Sequence, residues 1–74
     1  MSDKYSKGMR VGQETARECK KQDPSTLDLS NHETLALAQQ HLAIVNSDTP
    51  NEDRSSSFDL GFVEGFVDEM TSNL

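Results

Sequence analysis

The stretch Phe58-Asp59-Leu60-Gly61-Phe62-Val63-Glu64-Gly65-Phe66-Val67-Asp68-Glu69-Met70-Thr71-Ser72-Asn73-Leu74 decides the fold, because two apolar series run along it at once. Leu60, Val63, Val67, Met70 and Leu74 follow heptad spacing, and Phe58, Phe62 and Phe66 form an i, i+4, i+8 ridge beside them. Both are helical periods. On a wheel at 100° per residue the two series cover roughly 200°, about twice the stripe of an ordinary surface helix. Gly61, Glu64, Gly65 and Asp68 are expected on the remaining side. The element is predicted over about 57–72, with serines before it offering N-caps and Asp59 suiting the positive end of the helix dipole. A helix this apolar must be buried on more than one face.

Upstream lies Ser-Asp-Thr-Pro-Asn-Glu-Asp-Arg-Ser-Ser-Ser, residues 47–57, which holds no apolar side chain and is rich in the turn formers Ser, Asp, Asn and Pro. It reads as a flexible linker. Before it, Ser30 followed by Glu33 matches a capping box and opens a second helix over about 31–46. Leu35, Ala38, Leu42 and Val45 are its expected inner stripe, widened by Ala36, Leu37, Ala43 and Ile44. His32 is expected in the first turn at the surface and His41 on the solvent side.

Residues 3–22 read as a first helix, since Tyr5, Met9, Gly12, Ala16 and Cys19 recur every three or four positions with Gly8 in the same arc. Pro24 ends it. Lys7, Arg10, Arg17 and Lys21 form a basic stripe on the opposite side. The stretch from Asp23 to Leu29 is expected to be a loop whose Leu27 and Leu29 cover one end of the core. Interior glycines cost roughly 1 kcal/mol each relative to alanine, so Gly8-x3-Gly12-x3-Ala16 implies that another helix approaches closely. Tyr5-x2-Gly8-x3-Gly12 is echoed by Phe58-x2-Gly61-x3-Gly65. Either the two helices cross at their small residues or two short glycine-bearing helices coincide by chance.

The expected fold is therefore all-α: one domain over 1–74, a small three-helix bundle completed by oligomerisation. Apolar residues are only 32% of the chain and the aromatics are Tyr5 and three phenylalanines, so the core is thin. Chains this short bury only about 60% of the surface their unfolded form exposes, and small scaffolds compensate with disulfides, metals or association. Cys19 is the single cysteine, which excludes an intrachain disulfide and suits a reducing cytoplasm. The N-terminus lacks an apolar leader and no run approaches a membrane span. A soluble, cytoplasmic, unprocessed protein is expected.

The net charge of −6 divides unevenly. Residues 1–21 carry six cations and three acids, net +3, whereas residues 22–74 carry Arg54 against ten acids, net −9. Such separation suits complementary packing and argues against direct nucleic-acid binding. An ion-pair seam between the basic stripe and the acidic third helix explains Lys7, Arg10, Arg17 and Lys21 at least as well as a nucleic-acid surface does.

No reaction chemistry emerges from the motifs. His32 and His41 fall on opposite sides of one helix and cannot share a metal, and Cys19 has no base that spacing alone places beside it. Glu64, Asp68 and Glu69 lack the Glu-x-x-His partners of a di-metal bundle and read as an acidic surface. The linker acids lack the glycine and terminal glutamate of an EF-hand, and no phosphate-binding or nucleophile-elbow motif occurs. No catalytic residue, cofactor or metal is expected.

The expected function is non-enzymatic: binding of a partner protein, as a small regulator, inhibitor or adaptor of the kind carried by phages and plasmids. A second copy of the chain is the simplest partner, through Phe58, Leu60, Phe62, Val63, Phe66, Val67 and Met70. The alternatives are a nucleic-acid mimic whose carboxylates occupy a basic groove, and a subunit of a composite enzyme to which His41 or Cys19 contributes.

Overall fold

The structure, a computed structural model, describes residues 3–48 and 55–71. It contains helix α1 (Asp3–Gln22), a 3-10 turn (Pro24–Asp28), helix α2 (Asn31–Ser47) and helix α3 (Ser56–Thr71). No strand occurs among the described residues, and the all-α three-helix reading holds. None of the helices is long and apolar enough to cross a membrane. Residues 49–54 of the expected linker lie outside the described residues, as do Ser72 and Leu74.

Each boundary has a local chemical cause. Asp23 closes α1 by donating its N–H to the Cys19 carbonyl at 2.9 Å, and its own carboxylate accepts from Ser25 N–H at 3.2 Å to start the 3-10 turn. The expected loop there is thus ordered into one tight turn, with Leu29 half-buried but Leu27 45% exposed. At α2 the capping box is complete: Ser30 Oγ accepts from Glu33 N–H at 3.2 Å and Glu33 Oε1 accepts from Ser30 N–H at 3.0 Å. Ser55 plays the same part for α3, its Oγ accepting from Phe58 N–H at 3.1 Å.

α3 packs principally on α1, and the two run parallel. A β-carbon added at Gly12 would collide with the Phe62 carbonyl oxygen, and one at Gly65 with that of Met9. Gly8 and Gly61 repeat the arrangement against the carbonyls of Phe58 and Tyr5. All four oxygens lie inside the 3.0 Å that real β-carbons essentially never breach, so the backbones touch only because side chains are missing. Shifting the α1 numbers by 53 maps Tyr5, Gly8, Met9 and Gly12 onto Phe58, Gly61, Phe62 and Gly65, and the contacts map with them. The seam is therefore pseudo-two-fold, and the sequence echo is a packing motif. The hydrogen in each β-carbon's place points toward a carbonyl oxygen, the geometry of weak Cα–H···O contacts known at helix interfaces. Gly61 and Gly65, expected on the outward side, are buried.

The remaining side of the phenylalanine ridge is closed by α2, which runs antiparallel to α3. Phe62 and Phe66 are fully buried in one cluster with Ala16, Ala38 and Met70. Phe58, Phe62, Phe66 and His41 form a ladder of rings with successive centroids 6.4, 6.2 and 5.6 Å apart. Burying each phenylalanine contributes roughly 2–3 kcal/mol, so this ridge is the main apolar term. The expected stripe of α2 holds at Ala38, which is buried, and at Leu42 and Val45, which are half-buried and packed against the core, whereas Leu35 is 40% exposed and Thr34, buried, and His41, half-buried, face inward beside the stripe. Bulky rings on α3 accept small side chains opposite, and the inner face of α2 extends to Thr34 and His41 in place of Leu35.

Candidate functional site

The ridge and the heptad series of α3 have different fates. Phe62, Phe66 and Met70 are enclosed by the chain's own α1 and α2, and Phe58 is half-buried. Leu60 remains 55% exposed, with Val63 and Val67 half-buried after it at i+3 and i+7. Of the residues expected to meet a partner, Leu60 alone is exposed, while Phe58, Val63 and Val67 are half-buried and packed against the core. Ile44 of α2, 60% exposed, is a further uncovered apolar side chain.

The charges of α3 are partly engaged by α1. Lys20 Nζ donates to Glu69 Oε2 at 2.9 Å and to the Glu69 carbonyl at 2.8 Å, and Arg17 approaches Oε1 at 3.5 Å. The Lys20 ammonium, through its hydrogen bond and its charge, holds the Glu69 carboxyl below the usual range, with Arg17 adding to it. The expected ion-pair seam thus includes Arg17 but centres on Lys20, which lies outside the basic stripe. Lys7, Arg10 and Lys21 are exposed. Glu64 accepts a hydrogen bond from the Tyr5 hydroxyl, and this bond, with lesser effects of burial and the carboxylate charge, raises the phenol's pKa. Of the three expected surface acids, Glu64 and Glu69 join helices together, and Asp68 is exposed.

His41 is not on the solvent side. On the inner face of α2 its ring stacks on Phe66 at an interplanar angle of 26°, and Nε2 lies 3.3 Å from Cys19 Sγ. Glu14, Thr15, Glu18, Cys19 and Gln22 of α1, with His41 of α2, line an open cleft of about 420 Å³ around this pair. Burial first, then the charges of Glu18 and Asp23, push the Cys19 thiol up from its ordinary pKa. The thiol and the imidazole nitrogen share one hydrogen bond, whose donor is set by the imidazole tautomer. A base is within reach of the sulfur, but the surroundings oppose the free thiolate that a nucleophile requires. His32 is exposed in the first turn of α2, as expected.

The Cys19–His41 pair escaped sequence reasoning because hydropathy assigns a histidine to the wet face. The signal that does locate it is the run Thr34, Ala38, His41 and Val45, which keeps helical period once small residues are allowed inside. Among the described residues no three potential ligands are already gathered around one point. The chain matches no protein-family pattern, and comparison with curated proteins and with solved structures likewise finds no match.

Proposed function

We propose that the chain is a non-enzymatic interaction protein, a small regulator or inhibitor that acts by covering part of a partner protein. The observation that carries this reading is Leu60, 55% exposed at the head of the Leu60–Val63–Val67 strip on the helix that otherwise builds the core. Leu27, Leu35 and Ile44 are exposed as well, and Leu60 differs from them in continuing along its helix into the half-buried Val63 and Val67. A second copy of the same chain is the simplest partner for this strip, because identical strips meet around a two-fold axis without further specialisation. The acids at the strip's edge, Glu64 and Asp68, then form a polar rim. Nucleic-acid mimicry is the weaker reading, since Glu69 and Glu64 are tied to Lys20 and Tyr5 and no longer present a row of unengaged carboxylates.

Sedimentation equilibrium of the full chain at tens of micromolar tests the proposal. Twice the chain mass is expected for the unaltered protein and the single-chain mass for Leu60→Glu, with both retaining helical circular dichroism. A strict monomer would refute self-association.

A further inference from the structure

We infer that a second copy seats in the groove between α2 and α3, so that Leu35, Gln39 and Leu42 of α2 meet it beside the Leu60–Val63–Val67 strip and the dimer core is a four-helix bundle. The inference rests on the self-association proposed above and adds a second helix to it. Two contacts fix the register of the antiparallel pair: Asn46 Nδ2 donates to Asp59 Oδ1 at 3.2 Å, and the His41 ring stacks on Phe66. Continued along the helices, that register sets Leu42 beside Val63 and Leu35 at the level of Met70.

The same contacts orient both helices about their axes. His41 points to the α1 side, where it meets Cys19, and at about 100° per residue Leu42, Leu35 and Gln39 fall roughly 100–160° around from it, away from α1. On α3, Gly61 and Gly65 face α1, while Val63, Val67 and Leu60 follow Asp59 at roughly 40°, 80° and 100° on the side turned from α1. Both rows therefore edge one groove. Leu42, Val63 and Val67, half-buried and packed on the core, form its floor, and Leu35 and Leu60, 40% and 55% exposed, stand on opposite banks.

Charge selects the occupant. Residues 34–47 contain no Asp, Glu, Lys or Arg in a chain that is 27% charged, and Asp59, the α3 acid nearest the groove, is bound to Asn46. A basic partner would find no counter-charge there. A second copy, itself carrying −6, meets least repulsion where charge is absent. The outward side of α2, with Gln40 and Ile44, is uncharged too but only one helix wide. Two helices give a face about 25 Å long and 20 Å across, roughly 500 Å² in flat projection and more as accessible surface, whereas one helix gives half of that; a standard interface takes roughly 800 Å² from each partner.

Sedimentation equilibrium of the full chain and its variants tests the groove. Leu35→Glu and Gln39→Glu should each weaken dimerisation at least about tenfold, because the new carboxylates face one another's copy across a buried contact. Gln40→Glu, on the outward side of α2, should dimerise like the unaltered chain. Raising salt should strengthen association of the unaltered chain by screening the repulsion between two acidic copies. If Leu35→Glu and Gln39→Glu dimerise normally while Leu60→Glu does not, the groove is overturned and self-association through α3 alone stands. A Gln40→Glu as weak as Gln39→Glu, or association weakened by salt, also overturns it. An unaltered chain at the single-chain mass refutes self-association itself, and the groove with it. Should Leu35→Glu lose its helical circular dichroism, Gln39→Glu decides, since Gln39 is exposed in the single chain.

Discussion

Gly12 lies so close to the carbonyl oxygen of Phe62 that no β-carbon fits between α1 and α3. The same relation holds in reverse between Gly65 and Met9, which makes each helix both knob and hole for the other. This reciprocity sets the register of the pair, and the register decides which α3 side chains enter the core.

Gly12→Ala should therefore destabilise a helix that alanine ordinarily favours. Propensity gains about 1 kcal/mol, but the new methyl meets backbone rather than a side chain that can swing away, and overpacking of this kind costs about 1–3 kcal/mol or more. A net loss of about 1–2 kcal/mol is expected, read as a lower urea midpoint. A raised midpoint would mean that the helices do not touch at Gly12.

Phe62→Ala and Leu60→Ala should separate the two apolar series of α3. Phe62 is fully buried, and its truncation should cost about 3–5 kcal/mol. At the lower end of the roughly 0.05–0.15 kcal/mol per residue of ordinary domains, where a chain with so thin a core belongs, this loss matches the whole stability and is read as loss of helical circular dichroism. Leu60→Ala should change the stability of the isolated chain by less than about 1 kcal/mol, the loss falling instead on association.

The α1–α3 ion pair predicts a specific acid response. Glu69 has a lower pKa folded than its ordinary value of 4.5 because the Lys20 ammonium favours the carboxylate. Its stabilisation is therefore complete above that ordinary value and disappears as pH falls through the lower, folded one. Glu69→Gln should be less stable than the unaltered chain at neutral pH, by about 1 kcal/mol or less because the pair is partly exposed. The difference should vanish under acid, measured by urea unfolding at a series of pH values. A gap that widens on acidification would contradict the pairing.

Ser30→Ala should remove half of the capping box and destabilise the chain by about 1 kcal/mol. Glu33, held below the usual carboxylate range chiefly by its bonds with Ser30, should then move back toward it. An NMR titration of Glu33 in both proteins reads this directly, and an unmoved pKa would show that the box is not formed.

Much of this architecture is legible in the residues, and the gaps have a common origin. Period and capping chemistry locate all three helices, since Pro24, the Ser30–Glu33 box and the serines before Phe58 act locally. The paired Tyr5-x2-Gly8-x3-Gly12 and Phe58-x2-Gly61-x3-Gly65 patterns mark the crossing. What hydropathy cannot convey is complementarity across an interface. Glycine scores as neither buried nor exposed, so Gly61 and Gly65 were expected beside the acids. On α2, Leu35 outranks Thr34 by hydropathy, yet the rings of Phe62 and Phe66 select the smaller neighbours. The inner face of α2 thus extends to His41, which meets Cys19, and that is why the only thiol–imidazole contact among the described residues was not expected from spacing.

Because the glycine register determines both the enclosed ridge and the uncovered Leu60 strip, its most direct test is proton NMR of the labelled chain for cross-peaks from Gly12 Hα. The account predicts cross-peaks to the backbone protons of Phe62 and Phe66, together with the reciprocal set between Gly65 Hα and Met9. Cross-peaks from Gly12 confined to residues of α1 would contradict it.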